Sequence, residues 1–434
     1  MKRMMIAVMM IAVIAAGVVA QEKVTLNVFN YQQADQAGYQ QDVQIWKDFQ
    51  TQNPDITLNM EVLFNDPYHQ KLEAYAASGT LPDVFYLWPG SRSAVIHTQH
   101  LAKDLTKLLG KEYLERFSAA AVNPKNQLGG YLAELPQSFT YTSVMYVNKK
   151  LLADNGFGLP KTFADLRRMV PRLKAKGLNV VMLPDKDGWP MQSCLFSTLV
   201  GRFGGDAYID AILAGKAKFT DKPFVEALKV VDELYRDGII ARSDNQVGYG
   251  EGAGAFASGK AAIYIDGDWR VGAYITDKAS GKALISPEAQ KNDFVLLPFV
   301  SIPGEKYHGV VSAVAGTGWA ISGSLPEGSA KLAAAVRLIK YLYSPEVQSI
   351  RFATGAYVPT LKGVKADVEP LMAKVPTFYA DNPDTCYVLD GVLDPSIITV
   401  LNNGLIDIGL GTATPQKVAT DVQKAFESWK ASQK

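Results

Sequence analysis

Between residues 24 and 88 the sequence alternates two kinds of hydrophobic spacing, and this alternation constrains the fold more than any other feature. VTLNVFN (24–30) reads as a strand, and DVQIWKDFQTQN (42–53) carries Val43, Trp46 and Phe49 at three-residue steps, the spacing of a helix face. PDITLNMEVLF (54–64) returns to period two through Ile56, Leu58, Met60 and Val62. YHQKLEAYAASG (68–79) is a second helix stopped by Gly79, and DVFYLW (83–88) a third strand. Strand, helix, strand, helix, strand at this spacing predicts a parallel α/β sheet with helices on both faces. Ligands of such sheets sit beyond the carboxyl ends of the strands, here residues 29–33 and 88–92.

The residues ahead of this unit follow a different logic. Lys2 and Arg3 precede an apolar and Gly run from Met4 to Ala20, with small residues at Val18 and Ala20 before Gln21. This is the pattern of a secretory signal peptide, residues 1–20, cleaved after Ala20. The alternative is a retained anchor, because the run is at the lower edge of bilayer-spanning length. No Cys precedes Cys194, so no thiol stands at the cleavage site to carry a lipid. Cleavage removes two of the 44 Lys and Arg and none of the 43 Asp and Glu, leaving 42 bases against 43 acids. That balance gives no electrostatic reason to expect nucleic acid or an anionic membrane as a partner. Cys194 and Cys386 are too few for a disulfide scaffold, and sequence leaves open whether they pair. A chain of 434 residues suits two domains of ordinary size.

The middle of the chain adds a strand in YTSVMYVN (141–148) and a helix in KTFADLRRMVPRLKAKG (161–177). Thr162 and Asp165 are spaced for a capping box, and Pro171 is expected to kink or divide the helix. Further helices fit 222–238 and 251–260, and NDFVLLPF (292–299) reads as a route back toward the first domain. GVVSAVAGTGWAIS (309–322) is rich in Gly and small residues, and helices follow over 327–354, 367–378 and 415–432.

Chemistry-bearing patterns are sparse. GRFGGD (201–206) and GAGAFASG (252–259) lack the spacing and context of a phosphate loop, and read as a turn and as close helix packing. His97 and His100 share a helical spacing but no metal motif, so a solvated helix end is expected, and neither a metal nor a cofactor. Cys194 has no nucleophile pattern around it and reads as a buried thiol. The stretch IYIDGDW (263–269) is different, because Asp266 and Asp268 precede Trp269 directly. If extended, the two residues share a face with their backbones about 6.6 Å apart, a separation that overlaps the range of glycoside-hydrolysing pairs. An acid and its partner must flank the scissile bond, however, so ligand hydroxyls or a structural cap suit two neighbours on one strand end better than catalysis does. Trp88, Trp189, Trp269 and Trp319 all lie at turns or strand ends, where flat rings are exposed to a ligand more readily than in helix cores.

Several stretches together resemble the family 1 extracellular solute-binding proteins of ATP-driven (ABC) importers, the group containing maltose- and other sugar-binding proteins. They are WKDFQTQNPDITLNMEV (46–62), AYAASGTLPDVFYLW (74–88), LPQSFTYTSVMYVNKKLLADNGFGLPKTFADL (135–166), FASGKAAIYIDGDWRVGAY (256–274), GTGWAIS (316–322) and AAVRLIKYLYSPEVQSIRFATGAYVPT (334–360). Phe163 stands where the family usually carries Trp, and Ile263 where Met is common. The resemblance implies a two-domain periplasmic-binding-protein fold with discontinuous domains, a hinge and an interdomain cleft. It implies domain one over 21–130 plus 300–350 and domain two over 131–299 plus 351–434. It also implies a carbohydrate-binding, non-catalytic monomer of the periplasm that delivers its ligand to a membrane permease. Trp88, Trp269 and Trp319 are then expected to stack on sugar and Asp266 and Asp268 to accept from hydroxyls, with Asn30, Gln32, Tyr141 and Arg92 as rim or polar contacts. A secreted carbohydrate-active enzyme and a binding protein for a non-sugar solute, such as glycerol phosphate, remain the alternatives.

Overall fold

The computed structural model describes residues 23–34, 38–119, 121–124 and 127–433; the signal-peptide expectation for residues 1–20 lies outside them. Strands β1 (Val24–Tyr31), β2 (Ile56–Leu63) and β3 (Val84–Leu87) form the parallel unit expected from the alternating spacing. The connecting helix Tyr39–Gln52 buries Ile45, Trp46 and Phe49, so Ile45 takes the inward position assigned to Val43. The β1–β2 register runs unbroken from Val24↔Ile56 to Tyr31↔Leu63. β1 is flanked on both sides, and its second half, Val28 to Asn30, is accordingly buried throughout.

Two later strands complete this sheet. With β4 (Glu134–Pro136) and β11 (Gly318–Ile321) the order is β2-β1-β3-β11-β4, β11 running antiparallel to both neighbours. A second sheet, β7-β8-β6-β9, is built from β6 (Val144–Asn148), β7 (Asn179–Met182), β8 (Ala261–Asp266) and β9 (Phe294–Leu297). A third, β12-β10-β5, joins β5 (Phe139–Tyr141), β10 (Val311–Ala315) and β12 (Thr385–Cys386). The Gly-rich stretch 309–322 thus supplies one strand to the third sheet and one to the first.

Each large sheet has its own apolar interior. Leu26, Phe49, Leu135, Trp319, Leu338 and Leu361 pack around the first. Val147, Leu166, Phe196, Leu228, Phe299, Leu401 and Phe426 pack around the second. β4 and Leu135 therefore lie with the first sheet, four residues and more past the division expected at 130/131. Phe299, Val300 and Ile302 stay with the second core, and Leu361 with the first.

Local signals explain most helix ends. Thr162 accepts from Asp165 N and Asp165 accepts from Thr162 N, a reciprocal cap that opens Phe163–Lys174. Pro171 does not divide that helix, because Phe163, Leu166, Met169 and Leu173 anchor its inner face on both sides of the proline. The stretch 327–354 is two helices, Ala330–Leu342 and Pro345–Ala353, with Pro345 opening the second. A helix not expected from sequence, Pro395–Leu410, carries Gly404 against Val418 of the final helix Pro415–Ser432. Among the described residues no helix is long and apolar enough to cross a membrane. Both cysteines are buried and unpaired.

Candidate functional site

A cleft of 1510 Å³ is lined from both sides: by residues following β1 and β3 of the first sheet, and by residues around the end of β8 of the second. The first wall is aromatic. Trp88, one residue past β3, meets Tyr31 at the end of β1 edge-on, with ring centroids 4.6 Å apart and planes at 78°. Tyr86 at 5.0 Å and His69 at 4.6 Å complete the cluster. Burial, with the Arg92 charge beside it, pushes the His69 pKa down to about 3, so the ring is neutral and its Nε2 accepts from Arg92 Nη1 at 3.1 Å. Arg92 also reaches across the cleft, Nη2 lying 3.2 Å from Asp390 Oδ2, while Ser91 Oγ donates to the Asp390 carbonyl at 2.9 Å.

Below this wall lies a continuous polar floor. Asn30 Nδ2 donates to Gln32 Oε1 at 3.1 Å, and Gln32 Nε2 to Asp42 Oδ2 at 3.1 Å. The other Asp42 oxygen accepts from Arg351 Nε at 3.0 Å, and Arg351 Nη1 reaches Gln137 Oε1 and the Tyr357 hydroxyl at 3.4 Å each. Gln137 Nε2 donates to the Tyr86 hydroxyl at 2.6 Å, which joins the floor to the aromatic wall. The network pairs its one arginine with its one carboxylate, so it offers hydrogen-bonding groups with little uncompensated charge.

The second wall contains Trp269, Trp189 and Tyr249. Trp189 lies 4.7 Å from Tyr249 and 6.2 Å from Trp269 between ring centroids. Trp269 Nε1 donates to the Tyr249 hydroxyl, which in turn donates to Asp266 Oδ1 at 2.9 Å. Arg270 Nε donates to Asp266 Oδ2 at 2.6 Å, and its guanidinium lies 3.9 Å over the Tyr249 ring. Beside this wall, half-buried Asp268 accepts from Tyr141 N at 2.7 Å and the Tyr379 hydroxyl at 2.6 Å, both on Oδ2. Burial pushes its carboxyl up to about 7, against those hydrogen bonds.

The structure brings Trp88, Trp269, Asp268, Arg92, Asn30 and Gln32 to one cleft and corrects three other expectations. Trp319 borders the cleft but is 1% exposed. It sits on a strand flanked by two others, with its ring edge-on to Trp46 and Tyr86 at 5.3 Å, and has no face to offer. Asp266 is fully buried by Arg270, Tyr249 and its own turn, so it braces the wall instead of meeting a ligand. Tyr141 stacks on Tyr379 at 4.5 Å and donates to Asn382 O, outside the cleft lining; it serves Asp268 through its main-chain N–H. His97 is buried as well, not solvated, with Nε2 at 3.0 Å from Trp88 O. Among the described residues no group of three or more His, Cys, Asp or Glu could hold a metal ion. Sequence reasoning missed Tyr249, Asp42 and Arg351; an arginine among the apolar residues of the 345–353 helix was the available signal.

The model of the family described as bacterial extracellular solute-binding protein matches residues 33–349. The chain belongs to this family. Among curated proteins, the "Multiple sugar-binding protein" of Streptococcus mutans is 22% identical over 351 residues, 80% of this chain and 77% of that one. Among solved structures, a chitin oligosaccharide binding protein matches with a TM-score of 0.82 at 22% identity, over 94% of this chain and 100% of the other. Maltose-bound T. maritima MalE3 matches with a TM-score of 0.72 at 19% identity, over 94% and 100%. These likenesses show the two-domain α/β fold of solute-binding proteins.

Proposed function

We propose that this solute-binding protein is the extracytoplasmic carbohydrate-binding subunit of an ABC importer, capturing a mono- or oligosaccharide and handing it to a membrane permease. The observation that carries this reading is the pair of aromatic walls, Trp88 on one domain and Trp269 with Trp189 on the other, enclosing one cleft above a charge-balanced polar floor. Pyranose rings present C–H faces to such walls and hydroxyl edges to such floors. Sugar-binding relatives support the same class of ligand. In this reading Trp88 and Trp269 stack on the sugar, Asp268 accepts from hydroxyls, and Asn30, Gln32 and Arg92 border it. The protein binds without turnover, as a monomer exported to the periplasm by residues 1–20, and needs neither nucleic acid nor cofactor.

The domains divide where the sheets divide. The chain crosses between β4 and β5, between β10 and β11, and again beyond Leu361, and these crossings support a hinge at the same segments. Closure about such a hinge buries the ligand, and the Arg92–Asp390 pair already joins the two walls. Isothermal titration against sugars, polyols and phosphorylated glycerols tests the reading, with chromatography of the recovered sugars. Binding of a sugar that is recovered intact is the expected result. Binding confined to a phosphorylated glycerol, or cleavage of the sugar, overturns it.

A further inference from the structure

Gly267 separates the two carboxylates of the IDGDW stretch, and its backbone gives no reason for a glycine. Its φ of −77° and ψ of 170° are extended values open to any residue. What excludes a side chain is Trp269. A Cβ built on Gly267 would lie less than 3.0 Å from Cζ3, Cη2 and Cε3 of that indole, closer than real Cβ atoms approach. Three adjacent carbons of the six-membered ring meet the same point, so the ring covers the Gly267 α-carbon with its face and not its edge. The short turn Asp268–Arg270 folds the indole back onto the main chain it has just left.

The nitrogen end of the same ring is fixed independently. Nε1 donates to the Tyr249 hydroxyl, and that hydroxyl is oriented by Asp266 Oδ1. Asp266 is itself held by Gly267 N at 2.8 Å and Arg270 Nε at 2.6 Å. The backbone contact on one face and the hydrogen bond at the nitrogen together restrain the indole, which packs against the second core and lines the cleft.

We infer that Gly267 is a specificity-determining residue: by letting the Trp269 indole lie against the main chain, where Tyr249 pins its nitrogen, it sets how far the second wall projects toward the Trp88 wall. Asp266 is a positioning residue in the same device. A side chain at 267 lifts the indole off the backbone and narrows the slot that a ring-shaped ligand must enter. The affinity consequence rests on the carbohydrate reading; the position of the indole does not.

Crystal structures of the protein and of its Gly267→Ala variant give the direct test, together with titration of maltotriose, raffinose and chitotriose. The variant's indole is expected to leave position 267 and lose the Tyr249 hydroxyl. Affinity for whichever of these sugars binds is expected to fall about 10- to 200-fold, the range for one misfitted methyl-sized group in a pocket. In a Trp269→Ala background the same substitution is expected to change affinity by less than about twofold, because the two residues act as one unit. An unmoved indole, or independent additive losses, overturns the inference. If Gly267→Ala alone does not fold, folding restored in the double variant supports it, and no restoration overturns it. If none of the three sugars binds the unmodified protein, the carbohydrate reading fails for that panel while the indole position still decides the inference.

Discussion

The two walls of the cleft hold similar rings by different means. Trp88 is seated by other rings, with Tyr31, Tyr86 and His69 meeting it at steep angles between 70° and 79°. Such contacts contribute about 0.5–1.5 kcal/mol each and tolerate small displacements. Trp269 is seated by a directional chain, from its nitrogen through Tyr249 to Asp266 and Arg270, and by the bare backbone of Gly267. The first wall is held by non-directional ring contacts and the second by directional hydrogen bonds. The cost is placed differently too: the second wall depends on a buried carboxylate and a buried guanidinium satisfying one another.

That dependence yields the largest expected effect. Asp266→Ala leaves the Arg270 charge buried without its partner, and stability is expected to fall by about 3–5 kcal/mol. Urea denaturation monitored by circular dichroism measures this. Trp88→Ala in the ring-built wall is expected to lower sugar affinity by about 2 kcal/mol or more, as large aromatic anchors do on truncation, with a smaller loss of stability than Asp266→Ala. Equal destabilisation by the two substitutions would break the contrast between the walls, and unchanged calorimetric affinity in Trp88→Ala would remove that residue from the site.

The contrast also separates what was legible in the sequence from what was not. Period and punctuation fixed the parallel unit from β1 to β3, the capped helix at Thr162 and the positions of Trp88 and Trp269 beyond strand ends, because each depends on residues near in sequence. Trp319 occupies the same kind of local setting, yet its strand is enclosed by β3 and β4, pairings made with residues 84–87 and 134–136. Asp266 and Asp268 are two residues apart and look alike in the sequence. Arg270 and Tyr249 claim the first, while Tyr379, more than a hundred residues away, and the Tyr141 main chain leave the second at the cleft. The polar floor was least visible, since Asp42, Gln137 and Arg351 become neighbours only when the chain returns to the first domain.

Asp268 supplies the smallest effect and the finest comparison. Burial holds its carboxyl at about 7 in the folded protein, above the ordinary 3.8, and Asp185 and Asp244 are likewise pushed up to about 7 by burial. Between about pH 4 and about pH 7 the folded state therefore binds more protons at these sites than the unfolded chain does. Their contribution to stability falls as pH rises through that window and is level above it. Sugar affinity is expected to move the other way, because hydroxyls donate to the ionised carboxylate and the ionised fraction grows as pH rises through about 7. The Trp88 wall adds nothing to this slope, its neighbour His69 being held neutral by a pKa of about 3. Titration calorimetry from about pH 5 to about pH 8 is expected to show tighter binding at the upper end. Asp268→Asn is expected to flatten that affinity profile while the stability profile keeps the slope due to Asp185 and Asp244. A flat profile in the unmodified protein would take Asp268 out of contact with the ligand and leave the second wall to act through Trp269 and Trp189 alone.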